Sequence, residues 1–150
     1  MITKGIILSG GSGSRLRPLT LSTNKQLLPI YDKPMIYYPL SVLMLANIKD
    51  ILIITNANDT ENYKKLLGNG EDLGIKLSFI VQEKPSGLPE AFILGEKFIN
   101  KKNVALILGD NFFYGSGFSK KLNNLKKFKS GGKIFLYNVS RPELYGVAKI

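Results

Sequence analysis

The sequence predicts an α/β protein with a mostly parallel sheet and helices on both faces. Five short apolar runs support this prediction, at residues 5–8, 51–54, 77–81, 104–108 and 134–137. Each run is continuously apolar rather than alternating, which is typical of strands that are covered on both faces. Helical patterning separates the runs, and strand–helix alternation favours right-handed crossovers between parallel strands.

Four segments between or after these runs are predicted helices, at residues 34–46, 59–67, 89–98 and 117–128. Pro34 suits the first turn of a helix. Asp59 or Thr60 can cap the second segment, and Gly68 ends it. Pro39 falls inside the first segment, so we expect a kink or an interrupted first turn there. No repeat or linker divides the chain, which indicates one domain over residues 1–150.

The composition is that of a globular protein, with 44% hydrophobic and 21% charged residues. Cysteine and histidine are both absent, which excludes a thiol nucleophile, a Ser-His-Asp triad and a Cys/His zinc site. A metal would need oxygen ligands, which favours magnesium or manganese. No apolar run reaches the ~18 residues of a membrane span, and residues 5–8 are too short for a signal peptide. We therefore expect a cytoplasmic protein with no membrane partner.

The formal net charge is +10, from 21 basic and 11 acidic residues. A charge of this size can indicate a nucleic-acid partner. Two lysine pairs, however, alternate with apolar residues at helical spacing, which places the lysines on the water side of an amphipathic helix. We therefore favour solvated helix faces and expect no nucleic-acid partner. The residues concerned are Lys120, Lys121, Lys126 and Lys127 among Phe118, Leu122, Leu125 and Phe128.

A glycine-rich loop follows the first predicted strand, where an open α/β sheet binds its ligands. Residues 9–18 read SGGSGSRLRP. This is neither a dinucleotide fingerprint, since Leu16 stands where a third glycine belongs, nor a phosphate loop of the G-K-S/T type. It is either a simple tight turn or a turn whose bare amides, beside Arg15, hold a polyphosphate. Lys25 is either a solvated lysine or a second phosphate contact.

Two more strand ends have polar residues with a chemical use. Gln82 follows the third strand, and its amide can read the edge of a pyrimidine base, while Gly87 would allow close backbone approach. The alternative, an ordinary turn rich in proline and glycine, is favoured by the spacing alone. Asp110 stands at the tip of the fourth strand, where a carboxylate suits a magnesium ion. The alternative for Asp110 is a turn cap.

These segments together resemble the sugar-1-phosphate nucleotidyltransferases. Residues 10–20 are similar to the family signature G-G-x-G-x-R-L-x-P-L-T, and residues 25–41 are similar to its thymidylyl branch nearly residue for residue. Residues 108–115 and 145–147 match as well. The resemblance implies a Rossmann-like fold of the nucleotide-diphospho-sugar transferase type, truncated here. Residues 1–150 would be its nucleotide-binding part, with the remainder of the domain absent.

The resemblance also implies a reaction, in which the thymidylyl group of dTTP passes to glucose 1-phosphate and pyrophosphate leaves. It implies catalytic roles for Arg15, Lys25 and Asp110, with Asp110 also binding Mg²⁺. It implies nucleotide contacts at Leu8, Gly10, Gly11, Gly13, Ser14, Arg15, Gln26, Gln82, Pro85 and Gly87. It implies sugar contacts at Leu108, Asn111, Tyr145 and Gly146.

The resemblance further implies that the complete protein is a homotetramer inhibited by its pathway's end product, and that more site residues, a second magnesium-binding aspartate among them, lie beyond residue 150. The chain alone is therefore expected to be inactive. Two alternatives stay open beside the thymidylyl reading. One is a nucleotide-binding or regulatory module without catalysis, and the other is a uridylyl-preferring relative.

Overall fold

The fold comes from a computed structural model that describes residues 1–11, 13–84, 86–125 and 130–149. Its strands are β1 (Lys4–Ser9), β2 (Pro29–Ile30), β3 (Lys33–Pro34), β4 (Asp50–Thr55), β5 (Lys76–Val81) and β6 (Val104–Leu108). Four of them form one sheet in the order β5-β4-β1-β6, and every pairing in it is parallel. The first four predicted strands and the parallel sheet are thereby confirmed.

The helices are α1 (Tyr37–Leu45), α2 (Thr60–Leu67), α3 (Glu90–Leu94), α4 (Glu96–Ile99) and α5 (Phe118–Asn124). Helix α1 begins three residues later than predicted, because Lys33–Pro34 pairs with Pro29–Ile30 in a short antiparallel ribbon. Pro39 consequently stands in the first turn of α1. The amides of a first turn have no intrahelical acceptor, so the missing N–H of proline removes no helical bond.

The predicted helix over residues 89–98 is divided into α3 and α4 at Gly95. A Cβ at Gly95 would lie 2.8 Å from the Ala91 carbonyl oxygen and 2.9 Å from Cδ1 of Ile6. The missing side chain therefore lets this helical layer lie directly on β1.

Helix α2 matches its predicted range, and Gly68 is its C-cap. Asp59 stands at the N-cap position, but the predicted side-chain cap is wrong, because Asp59 Oδ2 accepts from Asn24 and Asn56 instead.

The core has two apolar layers, one on each face of the sheet. Alternate residues of the strands supply the two layers, so that Ile7 and Ile53 face one side while Ile6, Leu52 and Ile54 face the other. Helices α1 and α2 cover the first layer, and α3 and α4 cover the second. This arrangement confirms the prediction of strands buried on both faces.

The fifth predicted strand, residues 134–137, is wrong. The structure assigns no strand to these residues, and their side chains are exposed, from 49% at Phe135 to 90% at Tyr137. A continuous apolar run becomes a strand only where another strand accepts and donates its backbone hydrogen bonds. Within the described part of the chain, nothing pairs with residues 134–137, and β6 is the edge of the sheet.

Helix α5 agrees with the expected amphipathic pattern as far as it is described. Leu122 is buried, whereas Lys120 and Lys121 face solvent. Lys126, Lys127 and Phe128 lie outside the described residues. In the described part of the chain, no helix has the length and apolarity that crossing a membrane requires.

Replacing Leu52 with alanine tests the two-sided core. The Leu52 side chain is fully buried in the layer beneath α3 and α4, so we expect Leu52→Ala to lower the free energy of unfolding by about 2–5 kcal/mol. Urea unfolding followed by circular dichroism measures it. The control is Leu45→Ala, since this side chain is 54% exposed at the end of α1. Equal losses in the two variants would contradict the assignment of Leu52 to the core.

Candidate functional site

A cleft opens at the carboxyl ends of β1 and β6. The chain runs outward from β1 to β4 and β5 and then returns to place β6 on the other side of β1. Such a reversal of strand order leaves a crevice beyond the strand ends, the usual ligand site of open α/β sheets. The cleft has a volume of about 210 Å³. It is lined by Gly11, Gly13, Ser14, Arg15, Leu16, Lys25, Gln26 and Asp110.

The glycine loop after β1 is held in shape by close packing. Gly13 has a φ of 60°, and a Cβ there would lie 2.9 Å from Cγ2 of Thr20, so both conformation and space favour glycine. Thr20 Oγ1 donates a 2.8 Å hydrogen bond to the Gly13 carbonyl. Gly11 is exposed, and a Cβ there would have no atom within 4 Å. The loop therefore presents its open backbone to the cleft.

Three charged side chains meet at this cleft. Lys25 Nζ lies 2.8 Å from Asp110 Oδ2, although the two residues are 85 positions apart. Arg15 lines the same cleft from the 3₁₀ turn Ser14–Leu16, and it has no ion pair with another described residue. Two cations against one carboxylate leave a net positive charge, which suits an anionic ligand.

Asn24 anchors the turn that holds Lys25. Its amide group donates to the Ser9 carbonyl at 3.2 Å and to Asp59 Oδ2 at 3.1 Å. Its Oδ1 accepts from the Tyr63 hydroxyl at 2.9 Å and from the Gln26 amide at 3.0 Å. All the donors and acceptors of this buried side chain are thus occupied, which ties the Lys25 turn to β1 and α2.

Tyr63 supplies this network with a permanent donor. Burial raises the pKa of the Tyr63 hydroxyl well above its usual range, and the nearby Asp59 carboxylate adds to the rise. The hydroxyl therefore stays protonated and donates to Asn24. Asn24 and Tyr63 were not predicted as site residues, and Asp59 was expected only as a helix cap, because nothing local in the sequence marks residues that meet only after folding.

Two buried polar atoms beside the cleft have no partner among the described residues, Gln26 Oε1 and Ser9 Oγ. Both side chains pack against Gly109, where a Cβ would lie 2.8 Å from Cγ of Gln26 and would clash with Ser9 Oγ. Gln26 also lines the cleft, although its unpaired Oε1 is itself buried.

Gln82 lies behind the glycine loop, at the end of β5. It is buried, and a Cβ at Gly10 would lie 2.5 Å from its Oε1. Its Nε2 donates to Glu90, a residue the sequence analysis did not single out. Gly87 is exposed with a φ of 93°, as a turn requires, and Pro85 lies outside the described residues.

The residues expected to contact a sugar are divided between two places. Leu108 and Asn111 flank Asp110 in one turn, since the Asn111 amide donates to the Leu108 carbonyl at 3.1 Å and the Leu108 amide donates to Asn111 Oδ1 at 3.3 Å. Leu8 is joined to this turn through a 2.9 Å hydrogen bond from the Gly109 amide. Tyr145 and Gly146, in contrast, lie in the exposed C-terminal segment, and neither lines the cleft.

Comparison with known proteins identifies the family. The model of the nucleotidyl transferase family matches residues 4–150. The chain belongs to the nucleotidyl transferase family. A glucose-1-phosphate thymidylyltransferase of Neisseria meningitidis is 56% identical over 146 residues, which are 97% of this chain and 51% of that protein. A glucose-1-phosphate thymidylyltransferase of Mycobacterium tuberculosis is 51% identical over 148 residues, which are 97% of this chain and 50% of that protein. The chain thus spans about half the length of the curated relatives it matches.

Solved structures of this nucleotidyl transferase family agree with the fold. A Bacillus anthracis crystal structure assigned as a glucose-1-phosphate thymidylyltransferase superimposes with a TM-score of 0.90 at 40% identity, covering 98% of this chain and 59% of that one. A UDP-glucose pyrophosphorylase complexed with UDP-glucose gives a TM-score of 0.66 at 26% identity, covering 85% and 54%.

The raised pKa of Tyr63 predicts a pH-dependent effect on stability. At neutral pH we expect Tyr63→Phe to lower the free energy of unfolding by about 0.5–1.5 kcal/mol through the lost hydrogen bond. Tyrosine in the unfolded chain ionises near pH 10, whereas folded Tyr63 stays protonated, so wild-type stability falls as pH rises. The difference in the free energy of unfolding between wild type and Tyr63→Phe should therefore be smaller by roughly 0.8 kcal/mol at pH 10.5 than at neutral pH.

Urea unfolding at pH 7.5 and 10.5 measures this narrowing. Tyr31→Phe is the matched control, because this side chain is 97% exposed. A stability difference that stays the same at both pH values would show that Tyr63 ionises equally in the folded and unfolded chain.

Proposed function

We propose that this chain forms the nucleotide-binding and catalytic half of a glucose-1-phosphate thymidylyltransferase. The proposed reaction transfers the thymidylyl group of dTTP to glucose 1-phosphate, with pyrophosphate as the second product. The main support is that the glycine loop, Arg15, Lys25 and Asp110 line one cleft at the carboxyl ends of the strands. The names of relatives that are 50% or more identical agree with it.

The proposed mechanism relies on positioning and charge neutralisation. A phosphate oxygen of the sugar attacks the α-phosphorus of dTTP in line, forming a new P–O bond while the bond to the β-phosphate oxygen breaks. The loop amides and Arg15 would hold the triphosphate and stabilise the departing pyrophosphate. Lys25 would contact the phosphates where the attacking and transferred groups meet. Neither histidine nor cysteine is needed, and the chain has neither.

Asp110 fits a Mg²⁺ ligand at this position. Magnesium in nucleotide sites takes one or two carboxylates and completes its shell with phosphate oxygens and water. Asp110 is the only acidic residue among the described residues that line the cleft, so they offer the ion one carboxylate beside the substrate phosphates. The ion would neutralise charge on the triphosphate. Asp110 and Lys25 are each about one-third exposed, so their ion pair is weak enough to rearrange.

The remaining contacts follow the same scheme. Gln82, Pro85 and Gly87 would bind the base, with Gly10 and Leu8 beside it. Ser14 and Gln26 would complete the nucleotide site, and Leu108 with Asn111 would approach the sugar. For Tyr145 and Gly146 the proposal rests on the family resemblance, since they do not line the cleft.

The length of the chain favours a simpler property for residues 1–150 alone, namely nucleotide binding without catalytic turnover. They span about half of each curated relative, and two of the expected sugar contacts lie apart from the cleft. We propose that the chain binds dTTP by itself and that turnover, and assembly into a homotetramer, need the length of the relatives.

Arg15→Ala tests the cleft directly. Loss of a charge-assisted contact to the triphosphate should weaken dTTP binding about ten- to a hundredfold by isothermal titration calorimetry. The matched control is Arg17→Ala, because Arg17 is exposed close by and does not line the cleft.

A second arm measures pyrophosphate release with glucose 1-phosphate and each nucleoside triphosphate, on this chain and on a protein extended to the length of its relatives. There Arg15→Ala should lower kcat/KM about 100-fold or more. Preference for UTP over dTTP would favour a uridylyl enzyme. Binding without pyrophosphate release in the extended protein would favour a regulatory module, and an unaffected Arg15→Ala variant would contradict the proposed site.

Asp110→Asn tests the metal assignment without a turnover assay. The substitution removes a Mg²⁺ ligand and also releases Lys25 from its ion pair. In EDTA, we therefore expect dTTP to bind more tightly to Asp110→Asn than to wild type. Adding Mg²⁺ should raise the dTTP affinity of the variant much less than it raises that of wild type. Titration calorimetry with and without Mg²⁺ measures both effects. Asp72→Asn, at an exposed turn, is the control, and a full Mg²⁺ gain in Asp110→Asn would refute the assignment.

A further inference from the structure

Glu90 controls the environment of Gln82 from outside the cleft. Gln82 is only 4% exposed, at the end of β5, and Glu90 is the half-buried first residue of α3. The Gln82 Nε2 group donates to Glu90 Oε2, and the Ser86 amide donates to the same oxygen at 3.3 Å. One carboxylate therefore holds both the side chain of Gln82 and the loop that leads to Gly87.

This contact determines which way the Gln82 amide faces. An ionised carboxylate only accepts hydrogen bonds, so the NH₂ group must face Glu90 and Oε1 must face the other way. Oε1 of Gln82 therefore faces the glycine loop, where a Cβ at Gly10 would lie 2.5 Å from it. Turning the amide over would bring two oxygen acceptors together. Among the described residues, the only hydrogen bond of the Gln82 side chain is this donation to Glu90.

A fixed acceptor beside the nucleotide loop distinguishes pyrimidine bases. Thymine and uracil have an N–H donor at ring position N3, whereas N3 of cytosine is an acceptor. A buried acceptor can therefore accept a hydrogen bond from N3 of thymine or uracil, whereas it repels the N3 acceptor of cytosine. Sites that read an N–H group in this way discriminate far more strongly than apolar pockets do, because a mismatch leaves buried polar groups unpaired.

We propose that Glu90 is a positioning residue for base recognition, which orients the Gln82 amide so that the site selects bases with an N–H at N3. The inference rests on the proposed function, which places the base beside Gln82. Glu90 itself does not touch the nucleotide. A purely structural role, in which Glu90 only holds Ser86 and its loop, would weaken binding of every nucleotide equally.

The test compares dUTP with dCTP, because their bases differ only at the edge that Gln82 would read. Affinities of the 150-residue chain for each nucleotide are measured by titration calorimetry with Mg²⁺ present. Wild type should prefer dUTP. Glu90→Gln offers Gln82 both a donor and an acceptor, so the preference should fall about tenfold. Glu90→Lys offers only donors, which should turn the Gln82 NH₂ toward the base and reverse the preference.

Two controls separate orientation from general damage. Glu96→Gln makes the same change in the first turn of α4, away from Gln82, and should leave the preference unchanged. In a Gln82→Met background, the Glu90 substitutions should no longer alter the preference, because they act through the amide. Circular dichroism and thermal unfolding establish that each variant is folded.

The outcomes distinguish this inference from the proposed function. Equal weakening of dUTP and dCTP in both Glu90 variants, or an unchanged preference with binding retained, overturns the role of Glu90 and leaves the nucleotide site standing. If wild type binds none of dTTP, dUTP and dCTP, the proposed function fails and the inference fails with it. A smaller preference in Glu90→Gln, with a reversal in Glu90→Lys, establishes the role.

Discussion

The central position of β1 is the constraint on which the site depends. Leu8 pairs in parallel register with Ile54 on one side and with Leu108 on the other, so three strands end at the same level. Ile6 and Ile7 are fully buried on opposite faces, and a slip of one residue would turn each onto the wrong face. The register therefore brings the glycine loop and Asp110 to the same edge of the sheet.

A buried polar network transmits this order to the cleft. Asn24 contacts β1 through the Ser9 carbonyl and α2 through Tyr63, and Lys25 is the next residue along the chain. Hydrogen bonds of this kind are strong in a low-dielectric interior only when every group is paired, as it is at Asn24. The turn is consequently rigid where it is anchored, while Lys25 itself reaches into a partly exposed and adjustable ion pair with Asp110.

The two ends of a nucleotide would meet different kinds of protein surface in this structure. The proposed phosphate side is lined by Arg15, by the partly exposed Lys25 and by glycine backbone. On the proposed base side, the buried Gln82 amide donates to one carboxylate of α3. Adjustable charge is suited to group transfer, whereas a fixed hydrogen-bonding pattern is suited to base selection. Gln82, which would provide that pattern, packs directly against Gly10 of the glycine loop.

The features that depend on local patterns could be predicted from the amino-acid sequence alone. Four continuous apolar runs predict four buried strands, and the glycine loop, Arg15 and Asp110 are recognisable because each follows a strand end. The run at residues 134–137 has the same pattern, yet it forms no strand, because pairing depends on a neighbour that a local pattern does not specify. The start of α1 was likewise displaced by the pairing of β2 with β3.

Which side chains meet is visible only in the folded chain. Lys25 and Asp110 are 85 positions apart, and Asn24 and Tyr63 are 39 apart, so no spacing in the chain marks them as partners. Gln82 and Glu90 are only eight apart, but their contact depends on how the loop between them turns and on where α3 packs. Hydrogen bonds are directional and short in range, whereas the apolar pattern is averaged over whole elements. The pattern therefore determined the sheet, and the folded chain determined the geometry of the site.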